Sequence, residues 1–252
     1  MSFDVDPSKI KKSSNPFDHW VIDDFFPEDL AYTLSNEFID FDSDKWFYHD
    51  NNIVENKKNI DDWGKFPKQT YSTLSYLCSN EFINIVREIT GVEKLYPDYG
   101  LHGGGWHIHN RGGKLNVHKD YDVHPRLELK RKFNLIVYLS QKWKPEWGGA
   151  LELWSHNSEK NRPKEKVVDI EIKFNRAILF DTSQNSWHGL PKEIDCPEGF
   201  YRKSLAVYYL TDIDDETGDR KRALFAPYGE QENNKDVLEF IENRCKLTEY
   251  KR

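Results

Sequence analysis

The residues best suited to chemistry lie in Asn116-Val117-His118-Lys119-Asp120. In an extended strand alternate side chains share a face, so an imidazole and a carboxylate two positions apart point the same way. His118 and Asp120 can then take neighbouring vertices around one metal ion, and a third ligand must come from elsewhere in the chain. Ser186-Trp187-His188-Gly189 offers it, just after the apolar run Arg176-Ala177-Ile178-Leu179-Phe180-Asp181. Two imidazoles and one carboxylate with open positions form the facial arrangement of non-haem Fe(II) oxygenases. The same donors also suit zinc, which would imply metal-assisted hydrolysis. His118, Asp120 and His188 are therefore the candidate metal ligands. The chain holds 9 histidines, and His107, His109, His124 and His156 compete with these. For each competitor the expectation is a structural or surface role.

A second group follows in Tyr201-Arg202-Lys203-Ser204-Leu205-Ala206-Val207-Tyr208-Tyr209. Arg202 and Ser204 share a strand face, 14 and 16 residues after His188. A guanidinium with a neighbouring hydroxyl suits a carboxylate, through a bidentate pair and one further hydrogen bond. Lys203 is the nearby substitute, but its parity turns it to the other face.

These residues need elements to position them. Residues 1–16 are polar, carry Pro7 and Pro16, and read as a flexible N-terminal arm. His19 to Phe26 reads as a short strand, and Pro27-Glu28-Asp29 opens a helix to about Phe41 through Leu30, Leu34 and Phe38. Residues 43–70 are aromatic and irregular, a long loop or a short edge hairpin. Leu74, Leu77, Phe82, Ile85, Val86 and Ile89 predict one or two helices, stopped at Thr90-Gly91. From residue 101 strand-like runs dominate: 114–120, 133–140, 150–154, 167–172, 176–181 and 203–210, with turns at Gly112-Gly113, Gly148-Gly149 and Asn157-Ser158. A last helix is expected over 236–246. The expected fold class is mainly β with flanking helices (α+β), an antiparallel jelly roll. It is read as a single domain, 17–252, made of a helical flank 27–100, a jelly-roll core 101–211 and the C-terminal helix.

Taken in order, an H-x-D pair, a distal histidine at a strand end and R-x-S on the next strand resemble the 2-oxoglutarate and Fe(II)-dependent dioxygenases, specifically the prolyl 4-hydroxylase-like superfamily. The resemblance extends over about residues 16–211. Pro16 to Phe26 is similar to the opening strand and helix of that group. Gly103-Gly104-Gly105-Trp106-His107 and Gly112 to Asp120 resemble its approach to the metal. Phe133 to Ser140, Trp147 to Trp154 and Asn175 to Phe180 fit the strands that follow. The resemblance implies a double-stranded β-helix, a cupin-like jelly-roll variant. It implies that His118, Asp120 and His188 bind Fe(II), and that Arg202, with Ser204, holds the distal carboxylate of 2-oxoglutarate. O2 would be the oxidant, succinate and CO2 the coproducts, and ascorbate an accessory reductant. Collagen-type prolyl hydroxylases generally have Lys where this chain has Arg202, so the likeness is closer to the branch with the ribosomal-protein prolyl hydroxylases. Residues 193–199 look like an insertion between His188 and Arg202. Related halogenases have a small residue at the position of Asp120, so the carboxylate implies hydroxylation rather than halogenation.

The substrate is less legible. The resemblance points first to a prolyl residue in a protein or peptide, with Trp46, Phe47, Tyr48 and Trp63 as candidates to line a groove. The alternatives are a free amino acid or other small metabolite, or a non-catalytic binding module. The composition excludes several other classes. The chain has 252 residues and is 37% hydrophobic, with 8 Trp, 13 Tyr and 15 Phe, enough to bury a core. With 36 basic and 43 acidic residues its net charge is -7, a poor basis for nucleic-acid binding. Lys130-Arg131-Lys132 and Arg220-Lys221-Arg222 read as solvated faces. No apolar run has the length of a membrane span, and the acidic start does not resemble a secretory signal. Cys78, Cys196 and Cys245 form no disulfide framework, which favours a reducing cytoplasm.

Overall fold

Strand formers separated by turns dominate the chain, and a computed structural model describes residues 2–246. The strands are β1 (Ile10–Ser13), β2 (His19–Ile22), β3 (Phe47–Asn51), β4 (Val54–Ile60) and β5 (Tyr96–Pro97). Then come β6 (Gly105–Lys119), β7 (Lys130–Tyr138), β8 (Leu151–Asn157), β9 (Arg162–Ile170) and β10 (Ala177–Asp181). β11 (Trp187–Leu190), β12 (Arg202–Thr211) and β13 (Leu224–Phe225) complete the set. The helices are α1 (Glu28–Asn36), α2 (Lys68–Leu77), α3 (Asn80–Thr90) and α4 (Lys235–Lys246). All strands pair antiparallel, in the order β1-β2-β10-β7-β12-β6-β11-β8-β9, with β4, β5 and β13 joined at the side. This is the jelly roll expected from the strand pattern.

The long strand β6 belongs to both halves of the roll. Gly105 to His109 pair with β12, whereas Leu115 and His118 pair with β11. Between them Gly112 takes φ +76°, a backbone position that a side chain would strain. The sheet therefore curls, and its two halves face one another across a core. On β10, fully buried along its length, Ala177 and Leu179 pack toward the helices while Ile178 and Phe180 pack between the sheets. That is the two-residue period of a strand covered on both faces.

Four expectations are corrected. The segment read as a flexible arm is ordered: β1 pairs residue by residue with β2, and Phe3 and Val5 are buried. The Phe3 ring sits edge-on to Phe25 and Phe26, and Tyr76 Oη donates to the Phe3 carbonyl at 3.0 Å. Without β1 the outer edge of β2 would be unpaired. The first helix stops at Asn36, not Phe41, because Phe38 leaves it to stack on Trp106 (4.6 Å, 23°) and Phe41 stacks on Tyr201. The flank read as helical is not purely so: of the two readings for 43–70 the hairpin forms, as β3 and β4, and it pairs with β6. Strand pairing thus extends beyond 101–211 on both sides.

The fourth correction concerns the basic triplets. On β7 the side chains alternate, so Arg131 turns inward, 3% exposed, while Lys130 and Lys132 pair with Asp214 and Asp181. In the second triplet Arg220 pairs with Asp122, and Lys221 and Arg222 line a cavity shared with His118, Asp120 and His188. The residues read as an insertion, 193–199, contribute Ile194 and Cys196 to a small buried cluster with Leu190. No helix among the described residues is long and apolar enough to cross a membrane.

Candidate active site

His118 and His188 are directly opposed across the β6–β11 pair, and Asp120 follows just beyond the end of β6. Strand parity turns Asp120 to the face of His118, so the three side chains converge, each under 8% exposed. Nε2 of His118 lies 3.9 Å from Asp120 Oδ1, and Nε2 of His188 lies 3.9 Å from Asp120 Oδ2. The ligand atoms of all three fall within 4.8 Å of one another, and no other such group occurs among the described residues. Two donors on one ion, each at ~2.1 Å, stand at most ~4.2 Å apart, so both carboxylate–imidazole separations allow a shared metal.

Local contacts preset the ligands. His118 Nδ1 donates to the Asn116 carbonyl at 2.9 Å, and His188 Nδ1 donates to the Ser186 carbonyl at 2.8 Å. A carbonyl can only accept, so both rings carry their proton on Nδ1 and turn the Nε2 lone pair toward Asp120. Burial, reinforced by the neighbouring His188, pushes His118 down to about 3. Burial likewise lowers His188, so both imidazoles are neutral and ready to ligate at neutral pH. Burial alone would raise the Asp120 carboxyl, but the Arg131 guanidinium beside it holds it below the usual carboxylate range. Asp120 Oδ2 is buried with no hydrogen-bond partner. An ionised, buried and half-unpaired carboxylate is costly unless a cation completes it. The residues present fit a divalent metal.

Arg131 fixes the remaining carboxylate oxygen, with Nη1 at 3.3 Å from Asp120 Oδ1 and Nη2 donating to the His102 carbonyl at 2.6 Å. Its guanidinium lies between the rings of Tyr121 and Tyr208, 3.4 Å from each centroid. The Phe225 ring stacks on His118 (4.8 Å, 22°) and shields the metal side of the cavity.

Arg202 and Ser204 sit on one face of β12, 3% and 2% exposed, in the wall of the cavity that holds the triad. Arg202 Nε donates to the Gly149 carbonyl at 2.8 Å, and its guanidinium faces the Tyr138 ring. No carboxylate pairs with it among the described residues, and burial lowers its pKa. A buried cation of this kind demands an anion. Lys203 turns the opposite way and donates to the Ser35 carbonyl at 3.2 Å, as its parity predicts.

Of the competing histidines, two hold structure. His124 faces Asp98 at 3.5 Å, and His156 Nδ1 accepts from Trp187 Nε1 at 2.9 Å. His107 and His109 instead line the cavity, contrary to the structural or surface role expected. Lys57, His49 and Arg131 line it too and were not read as site residues. The signal for Arg131 was its place in β7, where alternation must turn one residue of a basic triplet inward. Lys57 gave none, because a lysine within a polar hairpin looks solvated. Of the four aromatics, Trp46 is core and Trp63 is half-buried with Nε1 donating to the Tyr99 carbonyl. Phe47 and Tyr48 are exposed, and Phe47 lines an outer cleft.

Residues 104–210 match the family model of the 2OG-Fe(II) oxygenase superfamily. The fold resembles a prolyl 4-hydroxylase from Pseudomonas putida (TM-score 0.54, 18% identity, 78% of this chain and 93% of that one). It resembles a prolyl hydroxylase from Trichoplax adhaerens, solved with a hypoxia inducible factor oxygen degradation domain peptide fragment (0.53, 16%, 77% and 83%). It also resembles HygX from Streptomyces hygroscopicus, solved with nickel, 2-oxoglutarate and hygromycin B (0.53, 13%, 79% and 84%). No curated protein is similar enough in sequence to match. Family model and fold thus point the same way, to a likeness with the 2OG-Fe(II) oxygenases.

Proposed function

We propose that this chain, a prolyl 4-hydroxylase-like 2-oxoglutarate and Fe(II)-dependent dioxygenase, hydroxylates an unactivated C–H bond with release of succinate and CO2. One observation carries the reading. A buried His118–Asp120–His188 set with both Nε2 lone pairs turned inward shares a cavity with a buried Arg202 that has no carboxylate partner among the described residues. A metal site alone would serve zinc hydrolysis equally well, but that chemistry gives Arg202 no task.

Bound Fe(II) and 2-oxoglutarate would supply the oxidising chemistry that couples O2 to substrate hydroxylation. The chain supplies the rest. His118, Asp120 and His188 would hold the metal on one face and leave the opposite face open. Arg131 holds Asp120 ionised and in place. Arg202 would anchor the distal carboxylate of 2-oxoglutarate, with the Ser204 hydroxyl beside it. Ile136, Leu151 and Leu190 line the same cavity, and apolar walls strengthen charge-assisted contacts beside them.

For the substrate, the fold likeness to two prolyl hydroxylases supports a prolyl residue in a protein or peptide as one reading. A free amino acid or other small metabolite is the second reading, favoured by a cavity wall rich in basic side chains. Anaerobic titration with Fe(II) and then 2-oxoglutarate tests the cofactor assignment. A weak visible charge-transfer band on adding 2-oxoglutarate is the expected result. No band, with tight zinc binding instead, would overturn it. The loaded protein, opened to O2, is then screened for succinate release with Pro-containing peptides and free amino acids.

A further inference from the structure

Arg202 is one end of a row. Strand register sets it opposite His109 on β6, His109 opposite Lys57 on β4, and Lys57 opposite His49 on β3. Directly paired residues share a sheet face, and all four side chains line the cavity. Neighbouring strands are ~4.8 Å apart, so the backbones of Arg202 and Lys57 stand ~10 Å apart with His109 between them.

Two features of the row call for a ligand. His109 is 1% exposed, yet neither of its ring nitrogens has a hydrogen-bond partner. Lys57 is half-buried and has no hydrogen bond or ion pair among the described residues. Burial, and then the charge of Arg202, push the Lys57 ammonium down to about 8, so it is still mostly protonated at neutral pH. The same two causes keep the His109 imidazole neutral.

The charge balance shows what is missing. Among the described residues, Asp120 is the only carboxylate lining the cavity. The charges of Fe(II) and the 2-oxoglutarate dianion cancel. Asp120 against Arg131 and Arg202 then leaves one positive charge, Lys57 adds a second, and Lys221, Arg222 and Arg244 also line the cavity. An outer cleft at the β3–β4 hairpin shares His49, Lys57 and His107 with the inner cavity. Lys57 thus stands on the way from the mouth to the metal, on the side away from Arg202.

We propose that Lys57, with His109 and His49 beside it, receives a carboxylate or phosphate of the primary substrate, which is a small anionic molecule. This rests on the oxygenase reading above and takes its small-molecule arm. An internal prolyl residue brings no charge to this depth, whereas the acid group of a free metabolite reaches the row with the reacting carbon held near the metal.

The test uses the full chain, anaerobic and loaded with Fe(II) and 2-oxoglutarate, and reads both the visible band and binding by calorimetry. The probes are inorganic phosphate, N-acetyl-L-proline, its neutral counterpart N-acetyl-L-prolinamide, and a neutral blocked peptide with one internal proline. Expected is binding of phosphate or the free acid at least tenfold tighter than that of the amide or the peptide. Lys57→Met should remove that preference and Lys57→Arg should keep it, with 2-oxoglutarate affinity within threefold of the parent in both. The proposal is overturned if acid and amide bind alike, if the peptide is preferred, or if Lys57→Met keeps the preference. It is also overturned if Lys57→Met weakens 2-oxoglutarate as much as Arg202→Ala, since Lys57 would then serve the cosubstrate. Formation of the band reports on the cofactor assignment, and anion binding to the metal-free protein reports on the row, so the two readings fail separately.

Discussion

Asp120 shows how much one side chain is asked to do. It is buried, ionised, braced by Arg131 on one oxygen and unpaired on the other. Asp120→Ala and His188→Ala should each abolish Fe(II) binding and turnover while leaving the circular dichroism spectrum intact. Iron-dependent activity in either variant would remove the triad from the mechanism. Arg202→Ala should weaken 2-oxoglutarate binding by roughly ten- to a hundredfold, the size of one lost charge-assisted contact. The measurement is the 2-oxoglutarate dependence of the visible band, and an unchanged dependence would assign the cosubstrate anchor elsewhere.

Elements reach the site through contacts that no single element makes for itself. α2 begins after Pro67 with no capping side chain of its own. Glu37, just past α1, accepts from Gln69 N at 3.1 Å and from Thr70 N and Oγ1 at 2.7 Å. A carboxylate on free N–H groups at a helix start stabilises by about 1–2 kcal/mol. Glu37→Ala should lower stability in urea denaturation by that amount, and no change would show the cap to be dispensable. Asp23, beyond β2, pairs with Arg176 at 2.6 Å and Lys173 at 3.1 Å. The Arg176 hydrogen bond lowers Asp23 from 3.8 to about 2 despite partial burial. A carboxyl depressed on folding stabilises the fold above its unfolded value, and that contribution is lost as pH falls from about 4 toward 2. Asp23→Asn should therefore cost on the order of 1 kcal/mol at pH 7, solvent screening included, and less with each step below about pH 4. Melting temperatures across that range would decide it.

At the scale of the whole molecule the site lies where the two halves of the roll meet. β6 carries His109 on its first half and His118 on its second, and the change of partner strand between them gathers Arg202 and His188 around one cavity. The segment after β12 closes it. Phe225 covers His118, and Asn116 Nδ2 donates to the Ala226 carbonyl at 3.0 Å. With Val237 and Ile241 of α4, Phe225 forms a small cluster over Ile53 and Val54 of the β3–β4 hairpin. Phe225→Ala should destabilise by about 3–5 kcal/mol, the usual cost of emptying a buried aromatic site, and loosen the metal as well. Calorimetric unfolding with and without Ni(II) separates these. A metal-induced gain in melting temperature equal to the parent's would show that the ring packs but does not guard the site.

The sequence by itself determined the features that depend on short-range geometry. The parity of a strand sets His118 with Asp120 and Arg202 with Ser204, and turns Lys203 away. Apolar runs between turn residues announce a jelly roll, and Gly91 ends α3 as a stop should. What it left open depends on partners distant in the chain. A polar N-terminus becomes a strand only because the edge of β2 is there to pair, and Arg131 joins the site only because Asp120 and two tyrosine rings meet it. Lys57 is invisible in sequence for the same reason. Its hairpin looks solvated until β6 draws it across the cavity and sets a lysine beside a buried histidine and arginine. Register between strands is a long-range choice, made by the core and the turns together, and it assembles single basic residues into one row.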